Sequence, residues 1–151
     1  MNLYRAALAA CFAASLGASW ATPALADDKL TPANAGGPGQ PLEHFAGMPW
    51  IKPLGYCGGL HVTRSEFIQD KDPAQAKATR MKAAPFLAAA ATRLERDRGV
   101  SNDEAFKLAL KEIAKGRIIV MALMENQIDE AYAKAEVKCA AILKLAEAVK
   151  D

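Results

Sequence analysis

Few residues in this chain are equipped for chemistry. There are two histidines, and of the three cysteines only Cys57 and Cys139 lie beyond the first 26 residues. His61 follows Cys57 by four residues, which puts both on one face if the segment is helical. A Cys-His pair at that spacing can be a thiolate with its base, or half of a metal site. A disulfide at Cys57 removes both roles, and no second ligand motif supports a metal, so His61 reads as a core-edge residue. His44 lies in a Pro/Gly-rich stretch, where a fixed catalytic geometry is hard to hold. Met48, Met81, Met121 and Met124 are too scattered for soft-metal capture, and three of them fall in helical stripes, where Met usually fills core. The chain has no Cys-x-x-Cys-His, phosphate loop, dinucleotide fingerprint, nucleophile elbow or zinc-protease helix motif. The expectation is a non-enzymatic protein without cofactor or metal. An enzyme would need a polar cleft joining His61 to Arg64 and Glu66.

The cysteine reading depends on the N-terminus. Residues 1–26 carry Arg5 as their only charge, then an Ala-rich apolar stretch, Pro23 and the triplet Ala24-Leu25-Ala26. This is a secretory signal pattern with cleavage between Ala26 and Asp27. Leu8-Ala9-Ala10-Cys11 resembles a lipoprotein box, but only ten residues precede the cysteine and the apolar stretch runs on past it. The expected location is periplasmic or secreted, with no stable membrane anchor after cleavage. Export leaves an even cysteine count and predicts a Cys57–Cys139 disulfide. The segment takes away Arg5 and no acid, so the formal net charge falls from +2 to +1. Such near-cancelling charge argues against a nucleic-acid partner.

Three segments are expected: a cleaved signal over 1–26, a flexible Pro/Gly-rich leader over 27–53, and a helical domain over 54–151. Within the leader, Phe45 and Trp50 read either as a strap over the core edge or as a linear docking motif. Residues 54–69 fit a helix weakened by Gly58-Gly59, though Leu60 to Thr63 could start a strand. Asp72-Pro73 is a helix start, and the helix runs to Arg98 with Gly99 as C-cap. Its stripe is Met81, Ala84, Leu87, Ala91 and Leu94, and Pro85 must kink it or restart it. Ser101-Asn102-Asp103-Glu104 has capping-box spacing, followed by Phe106, Ala109, Leu110 and Ile113 on one face. The stripe continues through Val120 to Ile128, Ala131, Tyr132, Ala135, Cys139, Ile142 and Ala146. A single helix from 102 to 150 would span about 73 Å, too long for a compact domain. A turn at Glu125-Asn126-Gln127 is preferred over one at Gly116, because it gives helices of matched length that bury each other's stripes.

The fold class predicted is all-α: a small up-and-down bundle of about four helices tied by one disulfide. One run stands out against it. Ile118, Ile119, Val120, Met121, Ala122, Leu123 and Met124 are apolar on every side of a helix. Either this helix is central and wholly buried, or part of the run faces solvent as an interaction surface. The functional expectation is an exported binding protein that uses this surface, with a protein partner or a second copy of itself. The alternative is a bundle that holds a small apolar ligand or a metal ion in its core.

Overall fold

The structure, a computed structural model, describes residues 29–30, 45–124 and 128–148. The proposed signal segment, Cys11, His44 and most of the leader lie outside the described residues. Among the described residues five helices follow in order: α1 (Ile51–Ile68), α2 (Pro73–Met81), α3 (Ala84–Arg98), α4 (Asn102–Met124) and α5 (Ile128–Ala148). The all-α expectation holds, and the disulfide joins Cys57 of α1 to Cys139 of α5 with Cα atoms 5.4 Å apart.

The helix ends follow local chemistry. Asp72 caps α2, its carboxylate accepting from the Gln75 backbone N–H at 2.9 Å, with Pro73 in the first turn. The 73–98 segment breaks into α2 and α3, and Pro85 sits in the first turn of α3, where its missing N–H costs nothing. Gly99 closes α3 in the left-handed conformation at φ 63°, open to any Cβ but unfavourable for one. The restart changes the phase of the stripe. Ala83, Phe86, Ala90, Ala91 and Leu94 face the core, and Met81 is exposed. The Ser101 hydroxyl accepts from the Glu104 backbone N–H at the start of α4. α4 runs unbroken through Gly116 to Met124, and α5 begins at Ile128; the preferred break at 125–127 lies outside the described residues.

The central helix is α1, which packs against all four others, whereas α4 and α5 meet only marginally. Matched length therefore did not pair α4 with α5. Their inner faces are each turned to α1. Ile51, Leu54, Cys57, Leu60, His61 and Ile68 are all buried on it, together with Gly55, Gly58 and Gly59. A helix buried on most sides needs small residues wherever a neighbour comes close. The glycines supply them. A Cβ at Gly55 would lie 2.9 Å from Glu112 backbone atoms, and one at Gly59 would lie 2.5 Å from the carbonyl carbon of Gly116. Gly59, a weakness by propensity, thus lets α4 cross α1 at backbone distance, and Gly58 beside it makes room for the Ile113 side chain. The same crossing corrects the α4 stripe. Ala105, Ala109, Ile113 and Val120 face inward, while Phe106 and Leu110 lie on the exposed flank. Close approach puts Gly116 opposite Gly55 and Gly59 at the seam, and Ile113 fits there because Gly58 opposite it has no side chain.

The leader also needs correction at its described end. Leu30, Phe45 and Trp50 are core residues. The Leu30 N–H donates to the Met48 carbonyl at 2.9 Å, and the Gly47 N–H donates to the Leu30 carbonyl at 2.7 Å. α1 starts at Ile51, inside the stretch read as leader. Residues 45–50 are a strap folded over the bundle, and buried Trp50 stacks beneath the Arg93 guanidinium at 4.8 Å.

Candidate functional site

The 118–124 run lies in the last two turns of α4, and most of its described side chains are exposed. Val120 is fully buried, but Ile118, Ile119, Met121 and Leu123 are 64%, 52%, 40% and 70% exposed. The side chain of Met124 lies outside the described residues. At 3.6 residues per turn, Ile118 and Met121 fall on one flank of Val120, and Ile119 and Leu123 on the other. The run is therefore not the core of the bundle; α1 has that place. α4 rides on the outside, held by its small-residue seam, and its bulky side chains spread over both flanks.

The two flanks differ. On the first, helical spacing puts Ile118 and Met121 on the same side as Arg117, which is bound to Glu66 by Nε–carboxylate contacts of 2.9 and 3.1 Å. On the second, Ile119 and Leu123 form one wall of an open groove of about 680 Å³. The strap residues Phe45, Met48 and Pro49 and the α1 residue Tyr56 form the other walls. Glu112, largely buried at the groove's edge, accepts from Lys52 Nζ at 2.9 Å and from Lys115 Nζ at 2.5 Å. Burial pushes its carboxyl pKa up, but the hydrogen bonds and charges of the two lysines outweigh that and hold it below the ordinary carboxylate value.

The polar cluster around His61 is separate. The His61 Nδ1 and the Tyr132 hydroxyl are 3.0 Å apart. Tyr132 donates to Glu136 at 3.1 Å, and Glu136 accepts from Lys82 at 2.6 Å. Phe86 packs 5.4 Å from the imidazole, and Arg64 lies over the Tyr132 ring at 5.7 Å. Burial lowers the His61 pKa to about 4, and the positive charge of Lys82 adds to that against the opposing pull of Glu136. Burial, then the Glu136 charge, raises the Tyr132 pKa. The imidazole is neutral at neutral pH, buried, and outside the groove lining. Arg64 pairs with Asp129 at 2.6 Å, and Glu66 pairs with Arg117 at 2.9 Å. The cluster fastens α5 to α1 and to the α2–α3 turn beside the disulfide.

Among the described residues, no group of three His, Cys, Asp or Glu side chains is placed to hold a metal ion. No helix there is long and apolar enough to cross a membrane. Met48, Met81 and Met121 are exposed rather than core fillers. Glu130 and Lys134 form the solvated i,i+4 pair that their spacing suggested, at 2.6 Å. The groove was not legible beforehand. Its strap wall comes from residues 45–49, and only their apolar character hinted at packing. No known protein family, curated protein or solved structure matches this chain.

Proposed function

We propose that the protein is an exported, non-enzymatic binding protein that works through the apolar end of α4, and that the first occupant of this surface is a second copy of the chain. The observation that carries the reading is the exposure of Ile118, Ile119, Met121 and Leu123 around buried Val120. Exposed apolar clusters of this kind mark interaction sites. The flank of Ile118 and Met121 favours self-association. Ile118 and Met121 carry no charge, and Arg117, next to Ile118 in the chain, is bound to Glu66, as Lys115, three residues before Ile118, is to Glu112. Two copies related by a two-fold axis can therefore pair this flank without like-charge repulsion. Export is supported by the Ala24-Leu25-Ala26 cleavage pattern and by a disulfide that an oxidising compartment would maintain.

The test is sedimentation velocity beside a thermal melt, wild type against Ile118→Lys. Ile118 is mostly exposed, so a lysine there should leave the melting temperature within a few degrees. The wild type should sediment as a concentration-dependent dimer and the variant as a monomer. A wild type that is monomeric across the concentration range overturns the reading.

A further inference from the structure

The groove on the other flank of α4 has a composition that selects its ligand. We infer that it binds a single-chain anionic amphiphile, of which a fatty carboxylate is the simplest case. Its volume of about 680 Å³ lies in the range of small-molecule sites. Phe45, Met48, Pro49, Tyr56, Ile119 and Leu123 give it an overwhelmingly apolar lining. A peptide laid there would bury backbone amides with few partners, at a cost. An aliphatic chain has no such groups.

The charge at the edge sets the sign of the headgroup. Among the described residues, Lys52 and Lys115 line the groove against one acid, Glu112. The Glu112 side chain is mostly covered, while the side chains of Lys52 and Lys115 are about half exposed or more. One positive charge is left over, on flexible side chains that can turn toward an anion at the mouth while Glu112 keeps one partner. Neighbouring Gly47 and Gly116 present no side chain to the groove. The inference goes beyond the self-association reading: it concerns the opposite flank of α4 and a different class of ligand.

The experiment is isothermal titration of the mature chain with sodium laurate below its micelle threshold, and with dodecyltrimethylammonium as a probe of equal chain length and opposite charge. Laurate should bind saturably, one per chain, and at least tenfold more tightly than the cationic probe. Leu123→Asp should weaken laurate tenfold or more; its side chain is mostly exposed, so the melting temperature should hold. Lys52→Gln combined with Lys115→Gln should erase the preference for the anion. No saturable laurate binding overturns the inference, as does equal binding of both probes or a lysine double variant that keeps the preference. Sedimentation of Ile118→Lys reports on the other flank, so failure of laurate binding and failure of self-association are distinguishable.

Discussion

Replacing Gly116 by alanine tests how α4 is held. In an isolated helix the change stabilises by about 1 kcal/mol, because alanine loses less conformational freedom than glycine. Here the new Cβ would run into the Gly55 carbonyl oxygen, with the Gly55 carbonyl carbon 2.7 Å and the Tyr56 Cα 2.8 Å away. All three are backbone atoms of α1, so no side-chain rotation relieves the overlap. Optimal carbon contacts lie at about 3.5–4.0 Å, so α1 and α4 must separate by roughly 1 Å. A gap of that size forfeits about a quarter to a half of each contact's dispersion well, at about 0.1–0.2 kcal/mol per atom pair over some tens of pairs. The loss comes to about 3 kcal/mol, at the upper end of measured overpacking costs. After the propensity gain, Gly116→Ala should destabilise by about 2 kcal/mol, lowering the melting temperature by roughly 10 °C in a domain of this size. Gly59→Ala meets the same crossing, so the double variant should cost less than the sum of the singles. Circular-dichroism melts of the three variants supply the numbers. A Gly116→Ala protein that melts at or above the wild type refutes the backbone-contact account of the seam.

Three further outcomes follow from the described contacts. Reduction of Cys57–Cys139, which closes a loop spanning a sequence separation of 82, should lower the melting temperature by at least about 10 °C, since roughly 4–5 kcal/mol of chain constraint is lost; an unchanged melt with and without reductant contradicts it. His61 has its pKa lowered from 6.5 to about 4 in the fold, so the unfolded chain binds its proton first and stability should fall as pH drops from about 6.5 to 4. Discounted for solvent screening, this contributes about 2 kcal/mol, and urea titrations across that window should show a shallower slope in His61→Gln; equal slopes in variant and wild type refute it. The exported chain should have the intact mass of a protein beginning at Asp27, whereas retention of residues 1–26 or a lipid on Cys11 would contradict the export reading.

Much of the architecture was legible because caps and periodicity act locally. Asp72-Pro73, Ser101 through Glu104 and Gly99 mark helix ends by hydrogen bonds within a few residues, and Cys139, Ile142 and Ala146 face the core as their spacing implies. The misassigned parts depend on partners distant in the chain. Phe106 and Leu110 look like core by periodicity, yet they are exposed, and α4 turns Ala105, Ala109 and Ile113 inward and meets the α1 glycines through Glu112, Ile113 and Gly116. Nothing local reveals that Gly55, Gly58 and Gly59 of a weak-looking helix are the surface on which another helix rests. Of the candidate site, the apolar run was visible as an anomaly, and its exposure on α4 matches one of the two alternatives that the run allowed. The groove beside it was not visible, because one of its walls is a proline-containing strap whose path is set by Leu30, Phe45 and Trp50 packing into the core.

Hydrogen-exchange mass spectrometry of the wild type at a low and a high protein concentration tests the central claim most directly. If the end of α4 is the binding surface, peptides covering residues 114–123 should gain protection as concentration rises, while those from α2 and α3 should not change. Identical exchange of the 114–123 peptides at both concentrations would contradict the account, as would protection that rises on another face of the bundle instead.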